Sequence, residues 1–266
     1  MQEPLKWPGG KSYLKQKIWE IAPAHNFRGI PCGGGLSEWW NWPSDGVSEV
    51  INDVNHELVN LWRVWQDPYL FSEFQRQIEC VPFSRPHFEA AKDAAKKTTS
   101  EREVDRAVHY FTRIRQSMMG LGTSWAPISK ARTRRNMNEQ VSAWLTAVEG
   151  LPEVHRRLQR VVIECVDVCL FLRKYDCPNG LFYLDPPYAP GTRTESLYEN
   201  EMPLEKHAEL LEVALSLKSS VLISGYHCPL YDEVLKEWNC HEFEMASSMT
   251  KGENKPKRVE VVWTNF

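Results

Sequence analysis

The sequence predicts an α/β fold in which a doubly wound, mostly parallel sheet carries an all-helical insertion. Short apolar runs recur towards both ends of the chain, as expected for strands that are buried on both faces of a parallel sheet. Helical patterns at 56–66 and 204–218 lie between such runs, and this alternation implies right-handed βαβ units. The expected strands are 27–31, 47–53, 161–166, 180–185, 220–224 and 258–264, with a weaker candidate near 240–245.

The middle of the chain interrupts this alternation. Residues 66–160 show helical patterning without a convincing strand, so we expect an all-helical insertion there. This range has a net charge of +5 and the remainder has −8, which agrees with the net charge of −3 for the whole chain. A basic insertion in an acidic scaffold indicates binding to a polyanion, although solvated helix faces can give the same count. We therefore expect two domains, 1–65 plus 161–266 and 66–160.

Several classes of protein are not expected. The seven cysteines, at 32, 80, 165, 169, 177, 228 and 240, include no CxxC pair, which favours free thiols in a reducing cytosol over disulfides or a zinc site. We find no apolar run of about 18 residues, which a membrane-spanning helix would need. The first residues, MQEPLKWPGGK, lack the apolar stretch of a signal peptide. We expect a cytoplasmic protein without a metal or a membrane partner.

The most informative segment is Asp185-Pro186-Pro187-Tyr188, which directly follows the apolar run 181–184. Two prolines fix φ and end the strand. Ligands of open α/β sheets bind at the carboxyl ends of the strands, so this acidic tetrapeptide is placed to act on a bound group. The alternative is an ordinary turn at the end of a strand, because Asp-Pro pairs are common in turns.

Two segments rich in glycine precede it. In KWPGGK (6–11), the glycines allow close approach of a ligand to the backbone, and Lys11 can reach an anion. A P-loop is excluded because its first glycine would have to stand at Leu5, and a surface turn is the alternative. PCGGG (31–35) follows the first expected strand, where α/β proteins cradle nucleoside-type cofactors.

An acidic residue follows the second expected strand. Asp53 lies 18 residues after Gly35, a spacing at which a carboxylate can accept hydrogen bonds from ribose hydroxyls. Alternatively, Asp53 or Asn55 caps the helix that begins there. Both roles are compatible.

In this order, the segments resemble the Dam-like family of DNA adenine methyltransferases over nearly the whole chain. The family's KW-x-GGK opening matches 6–11, its acidic segment matches 53–55, and its DPPYAP matches 185–190. VLISGYH (221–227) and the closing RVEVVWTN (258–265) are also similar to family segments. The resemblance implies a Rossmann-like methyltransferase fold and methyl transfer from S-adenosylmethionine to adenine N6 in double-stranded DNA, which leaves S-adenosylhomocysteine.

The resemblance also implies which residues act. The expected cofactor-binding residues are Trp7, Gly10, Lys11, Pro31, Cys32, Gly33, Gly34, Gly35, Asp53, Asp167 and Asp185. The expected catalytic residues are Asp185, Pro186, Pro187 and Tyr188. The Asp185 carboxylate and the Pro186 carbonyl would accept hydrogen bonds from the amino group and stabilise its growing positive charge. Tyr188 would stack on the target base, which must be flipped out of the duplex.

Two departures from the family are informative. Ile30-Pro31-Cys32 stands where the family usually has Glu-Pro-Phe, so an acidic and an aromatic residue are missing. YFTRIRQSMMGL (110–121) resembles a segment that usually contains Asn-Gly-Leu followed by an arginine, which GATC-specific members use to intercalate and to read a base. Met119 precedes Gly120 here, and Thr123 replaces the arginine. We therefore expect a target other than GATC.

DNA is expected to contact the insertion. The candidate residues are Arg113 and Arg115 in the matched segment, and Lys130, Arg132, Arg134 and Arg135 in the basic stretch ISKARTRRNMN. Basic loops suit phosphate contacts, and one arginine could read a guanine; the alternative is a solvated loop. Met118 or Trp125 could fill the gap that a flipped base leaves, but packing in the core is the favoured interpretation of each.

Other functions stay open at this point. Within enzymes, the alternatives are methylation of cytosine N4 and of adenine in RNA. Asp185 favours adenine, because the resembled cytosine enzymes more often have serine there. A catalytically silent DNA-binding module is a third alternative, against which the intact DPPY segment argues. We expect a monomer, and a cognate restriction endonuclease as a partner is open.

Overall fold

The computed structural model describes residues 1–11, 13–96, 102–190, 202–245 and 258–266. Its strands are β1 (Phe27–Ile30), β2 (Ser48–Asn52), β3 (Thr133–Arg134), β4 (Met137–Asn138), β5 (Val162–Glu164), β6 (Gly180–Leu184), β7 (Ser220–Gly225), β8 (Asn239–Met245) and β9 (Arg258–Thr264). Its α-helices are α1 (Lys15–Ile21), α2 (His56–Gln66), α3 (Pro68–Glu79), α4 (Arg85–Ala94), α5 (Glu103–Gln116), α6 (Glu139–Glu149), α7 (Leu151–Leu158), α8 (Val168–Tyr175), α9 (Leu204–Leu215) and α10 (Pro229–Val234). Two single turns of 3-10 helix cover Trp39–Asn41 and Met118–Gly120.

Seven strands form one sheet in the order β5-β2-β1-β6-β7-β9-β8. β1 pairs in parallel with β2 and β6, and β6 pairs in parallel with β7. β9 is antiparallel to both β7 and β8. This order, with helices between the parallel strands, confirms the predicted α/β fold and its mostly parallel sheet, and every expected strand is present. The antiparallel β9 agrees with the alternating start of RVEVVWTN.

The contacts divide the chain into two compact units. The first unit consists of Met1–Lys17, Gly34–Pro43 and Asn55–Cys165, and the second of Ile18–Gly33, Ser44–Val54 and Val166–Phe266. The first unit therefore contains the predicted insertion together with residues that we assigned to the catalytic domain. Our functional boundaries of 1–65 plus 161–266 and 66–160 stay a prediction.

The second unit is built on apolar strands. All five residues of β6 are buried, as are the last five of the six in β7, which explains their near-continuous apolar sequences. Phe182 of β6 is fully buried against Phe171 of α8, with ring centroids 6.2 Å apart. This packing fixes the central strands, whose carboxyl ends carry the candidate site.

Buried aromatic side chains from three helices pack together in the first unit. Trp65 of α2, Phe74 of α3 and Phe111 of α5 are each fully buried, and their ring centroids lie 5.6 to 6.1 Å apart in edge-to-face pairs. Such pairs stabilise a core beyond the burial of their surface. The helix starts are defined by side-chain caps, because Asn55 and Asp67 accept hydrogen bonds from the first amides of α2 and α3.

The predicted insertion differs from an all-helical region in one place. Thr133–Arg134 and Met137–Asn138 pair as a short antiparallel hairpin, with Arg135 and Asn136 at its turn. Both turn residues have positive φ, 54° and 61°, as a two-residue type I′ turn requires. We expected a loop-like basic stretch here, without a strand. Residues 97–101 of the predicted helical range lie outside the described residues.

In the described part of the chain, no helix combines the length and the apolar composition that a bilayer crossing requires.

A buried ion pair crosses two neighbouring strands of the second unit. Arg28 of β1 stands opposite Glu49 of β2 in the parallel register, with Nη1 and Oε1 2.8 Å apart. The side chains are 0% and 1% exposed, respectively. Arg28 also bonds to His25 Nε2 through Nη2 at 2.8 Å and lies over the Trp19 ring. Neither charge can be solvated by water, so each depends on its partner.

We expect Glu49→Ala to lower the free energy of unfolding by about 3–5 kcal/mol, because it removes a carboxylate partner from the buried Arg28 guanidinium. Urea unfolding followed by circular dichroism measures this. Glu89→Ala is the control, because Glu89 pairs with Arg85 at 3.8 Å on the surface and should contribute under about 1 kcal/mol. Equal effects of the two substitutions would contradict this account of the pair.

Candidate active site

Three neighbouring parallel strands of the second unit end at one edge of the sheet. Cys32 follows β1, Asp53 follows β2 and Asp185 follows β6, in the spatial order β2-β1-β6. A fourth predicted residue, Asp167, begins α8. Because the carboxyl ends of parallel strands form the usual ligand-binding edge of an α/β sheet, this edge is the candidate active site of the second unit.

The pKa of the Cys32 thiol responds to the carboxylates at this edge of the sheet. Burial raises its pKa well above the usual range, and the negative charges of Asp53, Asp185 and Asp167 raise it further. All three carboxylates therefore lie near enough to act on one sulfur atom electrostatically. The thiol stays protonated, and the edge of the sheet concentrates negative charge that favours a cationic ligand.

Asn52, the last residue of β2, connects the segments that carry these groups. Its side chain is fully buried, and Nδ2 donates to the carbonyls of Pro31 at 2.8 Å and Val166 at 3.0 Å. Its Oδ1 accepts from the Val166 amide at 2.9 Å, and its own carbonyl accepts from the Gly33 amide at 2.8 Å. One residue thus fixes both the turn after β1 and the backbone next to Asp167.

Asp167 makes structural contacts that its predicted role did not include. Its Oδ1 accepts from the amides of Cys169 and Leu170 as the cap of α8, and its Oδ2 pairs with Lys206 Nζ at 2.8 Å. Burial opposes ionisation of Asp167, but the contacts with Lys206 and the two amides outweigh it and lower its pKa. Asp53, in contrast, does not cap α2, because Asn55 does.

The tetrapeptide 185–188 continues from the buried end of β6. Asp185 is half-buried and Pro186 is buried. The Tyr188 hydroxyl donates to Oε1 of Glu260 on β9, and its ring meets the ring of Tyr226 edge-on, with centroids 4.5 Å apart. Burial raises the pKa of Tyr188 well above the usual value, and the charges of Asp185 and Glu260 add to this effect. The phenol is therefore neutral and acts as a donor.

The other predicted cofactor residues lie in the first unit, where two glycine segments pack together. A side chain at Gly34 or Gly35 would collide with Trp7, because a Cβ there would lie 2.5 Å or 2.4 Å from Trp7 atoms. A Cβ on Gly10 would lie 2.4 Å from Ser37 Oγ. Packing against Trp7 and Ser37 therefore requires these glycines, whether or not they also contact a ligand.

Lys11 is enclosed by the same part of the first unit. Its side chain is 1% exposed, and its backbone amide donates to Oε1 of Glu38 at 2.7 Å. Glu38 is buried as well, at 6% exposed. Glu38 was not predicted from the sequence, because it lies three residues beyond the glycine turn that carried the motif.

A search of protein families identifies the chain. The family described as D12 class N6 adenine-specific DNA methyltransferase matches residues 7–249. This chain belongs to that family. The Type II methyltransferase M1.LlaDCHI of Lactococcus lactis subsp. cremoris is 24% identical over 279 aligned residues, which cover 98% of this chain and 94% of the relative. The protein is thus an adenine-specific DNA methyltransferase that needs a methyl donor, and DNA is its substrate.

The methyltransferase has a basic surface in its first unit. Lys130, Arg132, Arg134 and Arg135 are exposed on and beside the β3–β4 hairpin. Arg135 is held by Glu149, with two nitrogen–oxygen distances of 2.9 Å, and Arg132 approaches Glu139 at 3.9 Å. The hairpin thus brings the four predicted residues of this stretch together, two of them beside carboxylates.

The other two predicted arginines are less accessible. Arg115 is only 5% exposed, and its Nη2 donates to the Ala143 carbonyl at 2.8 Å. Burial lowers its pKa to about 10. Arg113 is half-buried and lies over the Tyr110 ring at 5.4 Å. These contacts favour a structural contribution from both arginines. Their contact with DNA stays a prediction.

Arg115 also lines a cavity of about 540 Å³ in the first unit, together with Lys6, Trp7, Tyr13 and Lys15. Burial, with Arg115 nearby, lowers the pKa of Lys6 to about 8. Glu3 also lines the cavity, and its charge acts on the pKa of Arg115 in the opposite direction to burial, so the cavity lining carries both signs of charge.

Met118 and Trp125, the two residues considered for filling the gap left by a flipped base, have different surroundings in the structure. Trp125 packs on Phe83 and Phe88, with ring centroids at 4.6 Å and 5.7 Å, as expected of a core residue. Met118 is 41% exposed and its neighbour Met119 is 49% exposed, with a positive φ of 55°. The favoured core interpretation of Met118 was therefore wrong.

An exposed group of metal-ligand type lies elsewhere in the second unit. Ligand atoms of His227, Cys240 and Glu242 come within 4.8 Å of one another. Both ring nitrogens of His227 already meet carboxylates, Asp232 at 2.6 Å and Glu242 at 3.3 Å. An ion-paired histidine accounts for this group.

Three residues of the site were missed by sequence reasoning. Asn52 was visible as a polar residue inside an apolar strand, which is a usable signal. Glu260 alternates with valines in RVEVVWTN, but nothing in the sequence pairs it with Tyr188, 72 residues earlier. Tyr226 was quoted in VLISGYH without a role.

We expect Asn52→Ala to lower the free energy of unfolding by about 2–4 kcal/mol, since it leaves the Pro31 carbonyl and both backbone groups of Val166 without this partner. We also expect weaker binding of S-adenosylmethionine in calorimetry, because the turn after β1 and the start of α8 lose their common anchor. Asn55→Ala is the matched control. It removes a helix cap at a cost of about 1 kcal/mol and should leave cofactor binding unchanged. Unchanged stability and binding in Asn52→Ala would refute the anchoring role.

Proposed function

We propose that this methyltransferase uses S-adenosylmethionine to methylate N6 of an adenine flipped out of double-stranded DNA, with Asp185-Pro186-Pro187-Tyr188 as its catalytic segment. The observation that carries the proposal is the position of Asp185, Asp53 and Asp167 at the carboxyl edge of the sheet, where each of them acts electrostatically on Cys32. An acidic cluster at this edge matches both a cationic methyl donor and a target amino group.

The residues of the second unit fit the proposed cofactor. S-adenosylmethionine supplies a methyl group on a positively charged sulfonium, which the three carboxylates complement. Asp53 is suited to accept from the ribose hydroxyls. By the resemblance to the family, Asp167 is proposed to lie near the adenine ring of the cofactor. Pro31, Cys32 and Gly33 form the turn that Asn52 holds. In the first unit, Trp7, Gly10, Lys11, Gly34 and Gly35 are the proposed contacts.

The chemistry of the catalytic segment follows from its acceptors. The lone pair of adenine N6 is delocalised into the ring, so the amino group is a weak nucleophile. Hydrogen bonds from this group to the Asp185 carboxylate and the Pro186 carbonyl localise the lone pair and stabilise the positive charge that develops on nitrogen. The two prolines keep these acceptors fixed before the substrate arrives. Tyr188 offers the face on which the flipped base stacks.

DNA binding is proposed for the basic surface of the first unit. Three residues are exposed and suited to phosphate contacts: Lys130, Arg132 and Arg134. Arg135 is also exposed, but its guanidinium is already paired with Glu149. Arg113 and Arg115 would act from less accessible positions, Arg115 from the lining of the cavity in the first unit. The exposed Met118 is the proposed side chain that fills the gap left by the flipped base.

The target sequence is proposed to differ from GATC. Met119 and Thr123 replace the asparagine and the arginine of the GATC-reading segment, and neither can make the same hydrogen bonds to a base. We further propose a cytoplasmic monomer. The name of the relative, a Type II methyltransferase, supports a cognate restriction endonuclease as a partner.

We expect transfer of labelled methyl groups from S-adenosylmethionine to unmethylated DNA, detected as N6-methyladenine by nucleoside analysis and located outside GATC by methylation-aware sequencing. Asp185→Ala should reduce kcat by about 100- to 1000-fold, because it removes one acceptor of the amino group. Asp93→Ala is the control, since Asp93 lies on the surface, where it pairs with Lys96 at 2.7 Å, and this substitution should leave kcat unchanged. Methylation within GATC would overturn the proposed target. N4-methylcytosine, or full activity of Asp185→Ala, would overturn the proposed chemistry.

We expect Arg134→Ala to weaken DNA binding about equally for all sequences and to reduce the salt dependence of binding by about one counterion, as loss of a phosphate contact does. Fluorescence anisotropy at several salt concentrations measures both effects. Arg85→Ala, which removes an exposed arginine on α4, serves as the comparison and should change neither. An unchanged salt slope in Arg134→Ala would remove the hairpin from the proposed DNA surface.

A further inference from the structure

We propose that Glu260 is a positioning residue for the reaction, which fixes the orientation of the Tyr188 ring through the hydrogen bond between the Tyr188 hydroxyl and the Glu260 carboxylate. The inference rests on the proposed stacking role of Tyr188. It adds a residue from the closing strand, outside the catalytic segment, to the machinery that orients the target base.

The Glu260 carboxylate is buried in the closing strand. Glu260 belongs to β9 and is 2% exposed, between the partly buried Val259 and the fully buried Val261. A carboxylate is costly to bury unless hydrogen bonds compensate for the lost hydration. The Tyr188 hydroxyl supplies one such bond, from the end of the segment that carries Asp185. An aliphatic residue would pack in this strand without the cost, so the contact with Tyr188 gives this buried carboxylate a role.

Two contacts hold the Tyr188 ring, one at its hydroxyl and one at its face or edge. A tyrosine ring turns about its Cβ–Cγ bond, and a hydrogen bond at the hydroxyl alone fixes the position of its far end. The ring of Tyr226 meets Tyr188 edge-on, with an angle of 73° between the planes and centroids 4.5 Å apart. The hydroxyl contact and the edge contact together select one ring plane. A platform with a fixed plane presents the flipped base to Asp185 in one orientation.

The protonation of the phenol supports this arrangement. Burial and the nearby carboxylates keep the Tyr188 hydroxyl protonated, so it donates to Glu260 throughout the neutral range.

The test combines single-turnover methylation with the fluorescence of DNA that has 2-aminopurine at the target position, on the full-length protein. Glu260→Ala and Tyr188→Phe should each slow methyl transfer about tenfold and change the fluorescence in the same direction, because both release the ring. The double variant should be at most about twofold slower than either single variant, since both substitutions break the same hydrogen bond. Glu260→Gln retains an acceptor and should recover most of the rate.

Ser219→Ala is the matched control. It removes a buried hydroxyl of the second unit that donates to Asp176 Oδ1 and to the Cys177 carbonyl, each at 2.9 Å, next to the start of β7 and away from the catalytic segment. This variant should keep the wild-type rate and fluorescence. Unfolding curves of every variant separate a loss of folding from a loss of positioning, and Glu260→Gln keeps the test available if Glu260→Ala does not fold.

The outcomes distinguish this inference from the function on which it rests. Independent, multiplicative effects of Glu260→Ala and Tyr188→Phe would overturn it, as would a wild-type rate in Glu260→Ala. Tyr188→Ala tests the stacking itself. If Tyr188→Ala is slow and Glu260→Ala is not, only the role of Glu260 fails; if Tyr188→Ala is as fast as wild type, the proposed role of Tyr188 fails first.

Discussion

The buried amide of Asn52 is the contact on which the candidate site of the second unit depends. A side-chain amide has one acceptor and two donors, and here it bonds to the backbone of two segments that are far apart in the sequence, at Pro31 and Val166. In a buried environment each of these bonds is costly to break, because water cannot replace it. The turn after β1 and the start of α8 therefore keep fixed positions at the end of β2, from which Asp53 also projects.

The electrostatics of the site follow from this geometry. Strand ends that are held close together bring Asp53, Asp167 and Asp185 near one thiol, although like charges repel. One of the three, Asp167, is compensated by Lys206, which also pairs with Glu209 at 2.8 Å. An acidic cluster suits a cationic donor, and the amino group of adenine becomes more positive as it reacts.

Much of the fold was predictable, because hydrophobic periodicity and turn residues determine it locally. Each expected strand is present, and the sequence order of 6–11, 31–35, 53–55 and 185–190 identified the family before any geometry was known. The hairpin at 133–138 was not predictable in this way. Its turn uses positive φ at Arg135 and Asn136, and no glycine marks the position.

Other features depend on contacts between distant parts of the sequence. The burial of Arg115 results from the packing of α5, while the sequence showed only a basic residue in a segment matched to a DNA-contacting one. The glycines at 34 and 35 suggested a ligand, but Trp7 already requires them. The bond between Tyr188 and Glu260 links two motifs that were recognised separately and never as a pair. Local patterns thus located the site, and tertiary contacts define how its groups are held.

The central claim is that Asp185 and Pro186 receive the target amino group while Tyr188 stacks on its ring. The most direct measurement is a crystal structure of the protein with S-adenosylhomocysteine and a cognate DNA duplex. The account predicts a flipped adenine whose N6 lies about 3 Å from both an Asp185 carboxylate oxygen and the Pro186 carbonyl oxygen, with its ring parallel to that of Tyr188. A flipped adenine whose N6 is out of hydrogen-bonding reach of Asp185 would contradict it.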